Sequence, residues 1–244
     1  MRAWTLQFVR TELRLLVGLT AVSVALWGFF SVMGEVREGD TYWLDSPILL
    51  ALRRPGELGV PIGPRWLQET ARDITALGGF TVLTLVVAMS SAILVFHCRR
   101  LQAGILVAAV LVGQVLATVT KTLVGRDRPD LVPHLDTVYS SSFPSGHSAL
   151  SPIVYLTLAG IIAAGETNRS TKSLLLGAAT VLVLCIGASR VYLGVHWPTD
   201  VLAGWALGAA VALLATTVLH RIAPHSDDEG ARPREAPVAP ATPV

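Results

Sequence analysis

The sequence predicts an all-α fold, a six-span transmembrane helical bundle, and three observations carry that expectation. Hydrophobic residues fill 52% of the 244 positions and charged residues only 15%, against about a quarter charged in a soluble domain. Mean hydropathy is +0.58. The apolar residues are gathered into six runs, each close to the roughly 20 residues that a helix needs to cross a bilayer.

The runs lie near Leu13–Met33, Ile74–Phe96, Leu101–Thr120, His147–Ala164, Ser173–Ala188 and Val201–Leu219, the fifth being the shortest. The first is too long for a signal peptide, and no small-x-small cleavage site follows it, so it reads as a retained span. Basic residues set the orientation. The N-terminus carries Arg2, Arg10 and Arg14, Arg99 and Arg100 follow span two, Arg169 and Lys172 follow span four, and Arg221, Arg232 and Arg234 follow span six. The remaining Lys and Arg lie on the other side, in the long 34–73 segment or in the motifs below. Weighted to the short loops, the pattern predicts that both termini are cytoplasmic; the membrane expected for the chain is a bacterial inner membrane.

Two segments stand apart from the spans. In the loop at 34–73, Asp45 and Pro47 resemble a helix start, followed by Ile48, Leu49 and Leu52. Pro64 opens a second segment that carries Trp66 and Leu67 and leads into span two. Both are expected to rest in the membrane interface. Residues 1–222 thus form one transmembrane domain. The tail at 223–244, rich in Pro, Ala and charge, has too little apolar surface to offset ordering and is expected to be disordered. Gly204 and Gly208 form a GxxxG in span six, a close-packing pattern. A net charge of +2 argues against a nucleic-acid partner. Cys98 and Cys185 read as free thiols.

Topology brings polar residues together. The end of span three, the start of span four, the end of span five and the start of span six share one membrane face, the extracytoplasmic one. Those ends carry Lys121, Arg126 and Arg128; Ser145, Gly146 and His147; Ser189 and Arg190; His196 and Asp200. Ionisable groups beside apolar spans are costly unless paired or functional. Singly, each reads as an interfacial anchor or a helix cap; gathered, they read as an oxyanion site. Positioned cations suit a transferring phosphoryl group, whose charge spreads over its equatorial oxygens. Ser145 and Gly146 open a helix whose free N–H groups can face an anion. Four residues after His196, Asp200 can fix the imidazole tautomer and leave the other nitrogen to attack phosphorus. His147 can protonate the leaving oxygen. Arg126 receives no role, and His97, His134, His220 and His225 lack comparable company. A zinc site from His147, His196 and Asp200 is the alternative, but the surrounding cations repel a metal. No metal or cofactor is expected.

At these residues the sequence resembles the type 2 phosphatidic acid phosphatase superfamily. Its three-part signature matches Lys121–Pro129 (KTLVGRDRP), Pro144–His147 (PSGH) and Ser189–Asp200 (SRVYLGVHWPTD). The resemblance implies an integral membrane phosphatase acting on a lipid phosphate or diphosphate through a phosphohistidine. It implies His196 as nucleophile, Asp200 as its orienting partner and His147 as general acid. It further implies Lys121, Arg128, Ser145, Gly146 and Arg190 as phosphate-binding. The loop at 34–73 and the tail inherit nothing from it. A vanadate-dependent haloperoxidase shares such a pocket but is soluble, and a lipid carrier or flippase needs the cations without the paired His196 and Asp200. The lipid that is cleaved and the oligomeric state have no signal in the sequence.

Overall fold

The computed structural model describes residues 2–222, so the tail expected to be disordered lies outside the described residues. These hold eight helices and one two-stranded hairpin. The order is α1 (Arg2–Glu38), α2 (Tyr42–Ala51), β1 (Arg53–Arg54), β2 (Glu57–Pro61), α3 (Arg65–Ala76), α4 (Phe80–Phe96), α5 (Arg100–Val124), α6 (Gly146–Ala164), α7 (Arg169–Tyr192) and α8 (Pro198–Ile222). Five helices are long and apolar enough to cross a membrane unaided, and the bent pair α3–α4, taken together, is a sixth candidate. Large apolar side chains such as Trp27, Phe80, Phe96 and Leu123 are exposed, as a surface solvated by lipid allows.

The helix ends follow local chemistry. α5 stops at Gly125, whose left-handed backbone (φ 62°) returns its N–H to the Lys121 carbonyl. Ser145 caps α6 by accepting the Ser148 N–H, and Asn168 caps α7 by accepting the Ser170 N–H at 2.8 Å. That second cap corrects the expected fifth span: polar Arg169–Lys172 lowers hydropathy without breaking the helix, so α7 begins earlier than Ser173 and runs on to Tyr192.

The expected second span also differs. Ile74 belongs to α3, the chain breaks at Leu77–Gly79, and α4 departs at 46°. The break opens the Leu77 carbonyl, and the hydroxyl of Tyr155 donates to it at 2.7 Å. In the 34–73 segment, α2 starts at Tyr42 rather than at Asp45, because the Thr41 carbonyl accepts the N–H groups of both Leu44 and Asp45. Asp45 thus lies in the first turn, with Pro47 inside the helix. The short hairpin between α2 and α3 had no counterpart in the sequence reading. Cys98 and Cys185 are both free.

α8 is the axis of the bundle, packed along α1 on one side and α6 on the other. One apolar cluster joins Phe29 and Val36 of α1 to Ala149 of α6 and to Ala203 and Leu207 of α8. A second joins Leu83 of α4, Ala109 of α5, Ile153 of α6 and Val211 of α8. The two glycines of the GxxxG allow the backbones of α6 and α8 to touch. A Cβ on Gly204 would lie 2.8 Å from the Ser145 carbonyl oxygen, and one on Gly208 would overlap the Ala149 carbonyl oxygen. On the far face the ends of α1 and α8 meet, with Arg221 donating to Glu12 at 3.1 Å. Gly208→Val should therefore lower the melting temperature in detergent, whereas Gly104→Val on α5, where a Cβ meets nothing within 4 Å, should leave it near wild type.

Candidate active site

The C-terminal ends of α5 and α7 and the N-terminal ends of α6 and α8 lie at one end of the bundle. They are joined there by the loops 125–145 and 193–197. α2, the hairpin and α3 cover the same end. Between α7 and α8 the chain is buried without interruption from Leu193 to Asp200, and His196 sits within that stretch.

The two nitrogens of His196 face different surroundings. Nδ1 lies 3.4 Å from the Asp200 carboxylate and 3.4 Å from the Ser142 hydroxyl. Nε2 lies 3.3 Å from Nη1 of Arg128. Asp200 is fully buried and fixed on both oxygens. Oδ2 accepts the Trp197 N–H at 3.0 Å and a very short bond from the Ser142 hydroxyl, while Oδ1 accepts from Arg126 at 2.7 Å. Burial pulls the affinity of His196 for a proton down, with Asp200 opposing and Arg128 and Arg190 adding to the fall. The net effect is from 6.5 to about 4.

Arg128, at Nε2, belongs to a cluster of cations with Lys121 and Arg190 that the protein holds mainly through neutral groups. Lys121 donates to the Ser141 carbonyl at 2.6 Å. Arg128 donates to the carbonyls of Ser140 at 2.8 Å and Val195 at 2.6 Å, and burial together with the charge of Arg190 lowers its pKa to about 10. Arg190, only 2% exposed, donates to Thr75 at 3.1 Å and to the Asp136 carboxylate at 2.5 Å, while its Nε is buried with no partner. Burial pushes the Asp136 carboxyl up, but the hydrogen bond and charge of Arg190 outweigh it and hold the group below the usual range. Asp136 thus offsets one charge of three. A buried, unpartnered guanidinium nitrogen beside two further cations is suited to an anion.

His147 belongs to the same cluster, near enough for the charges of Arg190, His196 and Arg128 to act on it. Its ring packs against the break between α3 and α4: a Cβ on Gly78 would lie 3.3 Å from its Cδ2 and would overlap Ile186. The Ser145 hydroxyl is turned toward Ser148, which donates to it at 3.1 Å, and the Ser145 N–H goes to the Asp200 carbonyl at 3.0 Å. A Cβ on Gly146 would meet nothing within 4 Å, so the first turn of α6 presents its backbone to open space. Among the described residues, no group of three or more His, Cys, Asp or Glu side chains is arranged to hold a metal.

All eight residues singled out for the site therefore lie at this end of the bundle, and Arg126, left without a role, is bonded to Asp200. Three more participants were missed. Asp136 pairs with Arg190, Ser142 bonds Asp200, and Asp45 of α2 accepts from Arg126 at 2.7 Å. Only Asp45 carried a usable signal: a lone carboxylate among Tyr42, Trp43, Leu44, Ile48, Leu49 and Leu50 needs a partner to be buried.

The profile of the PAP2 superfamily matches residues 102–223, half of the chain and all of these helix ends. The chain belongs to the PAP2 superfamily. It is 36% identical to phosphatidylglycerophosphatase B of Bacillus subtilis over 151 residues, covering 61% of this chain and 73% of that protein. It is 34% identical to decaprenylphosphoryl-5-phosphoribose phosphatase of Mycobacterium tuberculosis over 163 residues, covering 62% of this chain and 80% of that protein. The crystal structure of the transmembrane PAP2-type phosphatidylglycerolphosphate phosphatase from Bacillus subtilis superposes with a TM-score of 0.72 at 28% identity, covering 83% of this chain and 97% of that one. This PAP2 superfamily member is an integral membrane phosphatase.

An anion site made by this cluster has a direct reading in solution. Orthovanadate or inorganic phosphate should raise the melting temperature of the detergent-solubilised protein, with about 2.7 kcal/mol of stabilisation at a hundred times the dissociation constant. Arg190→Ala should remove that shift.

Proposed function

We propose that this chain hydrolyses the terminal phosphate of a membrane lipid phosphate or diphosphate through a phosphohistidine on His196. The observation that carries the reading is the imidazole of His196, with Asp200 at one nitrogen and the cation cluster at the other. With the proton on Nδ1, the lone pair of Nε2 points to where Lys121, Arg128 and Arg190 would hold a phosphoryl group. A carrier that only binds headgroups needs the cations but gains nothing from such an imidazole.

In the first step Nε2 attacks phosphorus, the bond from phosphorus to the lipid-side oxygen breaks, and His147 gives that oxygen its proton. The cations neutralise charge on the equatorial oxygens, aided by the open backbone at Gly146. In the second step water attacks the phosphorus carried by His196 and passes a proton to His147. The P–N bond breaks, leaving inorganic phosphate and neutral His196. Asp200 stabilises the charged ring between the two steps. No step calls on a metal ion. The lipid-borne substrates in the names of the two relatives, phosphatidylglycerophosphate and decaprenylphosphoryl-5-phosphoribose, support a phosphate carried on an apolar tail. The basic residues of the opposite loops support a cytoplasmic position for both termini and an extracytoplasmic site.

His196→Ala should abolish phosphate release from a panel of phosphatidate-like, phosphatidylglycerophosphate and undecaprenyl diphosphate substrates, with the protein still folded; retained turnover would rule out the nucleophile. Arg128→Ala should lower kcat/KM by about 10²- to 10³-fold. EDTA should leave the rate unchanged. The pH dependence follows from His196, whose neutral form is the nucleophile. Because its folded-state pKa is about 4 rather than 6.5, the ring stays unprotonated at all pH values above that range. After correction for substrate ionisation near about pH 6, the acid limb of kcat/KM should appear only as pH approaches about 4, the alkaline limb reporting loss of the proton from His147. An acid limb centred near the ordinary imidazole value would contradict this.

A further inference from the structure

Arg126 and Asp45 lie outside the phosphate pocket yet are built into the support of His196. Arg126 is a fork with each prong satisfied twice. Nη1 donates to Asp200 at 2.7 Å and to the Thr199 hydroxyl at 2.8 Å, and Nη2 donates to Asp45 at 2.7 Å and to the Thr41 hydroxyl at 2.8 Å. Its guanidinium carbon stands 5.4 Å from the ring centre of Trp197, the residue after His196. Asp45 and Asp200 are both fully buried. Asp45 is also bound to the first turn of α8, accepting the Thr199 N–H at 2.9 Å and the Thr199 hydroxyl at 2.7 Å. A carboxylate there completes open N–H groups and suits the positive end of the helix dipole.

The physics makes this arrangement more than a fastening. A buried guanidinium offered one carboxylate would pair with it alone and draw it away from any weaker contact. Here that weaker contact is the 3.4 Å approach of Asp200 to His196. Sharing the fork between two carboxylates holds Asp200 by one oxygen and leaves the other for the imidazole side. The planar geometry of arginine is required, since a lysine ammonium cannot span the two acids along parallel bonds. α2 thus reaches the reacting ring through three links: Asp45, Arg126 and Asp200.

We propose that Asp45 and Arg126 are positioning residues for the nucleophile, the interfacial helix α2 setting the orientation of Asp200 and hence of His196. The inference rests on the reading of His196 as nucleophile, and the test separates the two. Phosphate release is measured for wild type, His196→Ala, Asp45→Asn, Arg126→Lys and the Asp45→Asn/Arg126→Lys double variant, per folded molecule judged by thermal melting. Small displacements of a reacting group cost on the order of 10²-fold. The expected result is a kcat lowered about 10- to 100-fold in each single variant, KM close to wild type, and a double variant no worse than the poorer single one, because both act through one fork. Thr41→Val removes one bond to Arg126 and keeps every charge, so it should show a smaller loss of the same kind and carries the test if Asp45→Asn fails to fold. A wild-type kcat in Asp45→Asn, a loss confined to KM, or additive losses in the double variant would overturn the proposal. Turnover by His196→Ala would instead overturn the nucleophile assignment itself.

Discussion

Lys121, Arg128 and Arg190 repel one another, and among the described residues only Asp136 pairs with any of the three. The rest of the site answers to that constraint. The cations are anchored on carbonyl oxygens of Ser140, Ser141 and Val195, which orient charge without cancelling it. Burial makes the repulsion stronger than it would be in water. An arriving anion would relieve it. Burial keeps the nearby imidazole of His196 unprotonated, with Asp200 opposing and the charges of Arg128 and Arg190 adding to the effect. In the proposed mechanism, charge held uncancelled favours binding and adds to burial in keeping the ring neutral.

Holding four helix ends so close requires a scaffold that does not yield. The small residues of α8 supply it, because Gly204 and Gly208 bring its backbone against that of α6. The contact lies directly below the cap made by Ser145, and the Ser145 N–H bonds the Asp200 carbonyl. The start of α6 and the start of α8 are thus tied both by packing and by a main-chain bond. Burial of Phe143, Leu193 and Val195 closes the loops over them.

The bundle and the gathering of the candidate residues at its helix ends were legible in the sequence, because ionisable groups next to apolar runs stand out and alternating spans assign them a face. What was not legible depended on direction or on distant partners. Hydropathy runs unbroken through Leu77, Gly78 and Gly79, so composition could not reveal a bend. The role of Arg126 was hidden because three cations within Lys121–Arg128 look alike until the turn at Gly125 sends them to different sides. Ser142 meets its carboxylate 58 positions along the chain, Asp136 its arginine 54 positions along, and Asp45 the first turn of α8 154 positions along. No local pattern encodes pairings of that reach.

The clasp between Arg221 and Glu12 has a practical meaning for anyone handling the protein. It brings the first and last helices, α1 and α8, together at the surface opposite the imidazoles, roughly one hydrocarbon thickness, about 30 Å, away. A tag, fluorophore or fused domain attached through either helix therefore hangs clear of the reacting centre. A preparation tethered by those attachments to a solid support would present every pocket outward, to whatever is flowed across it.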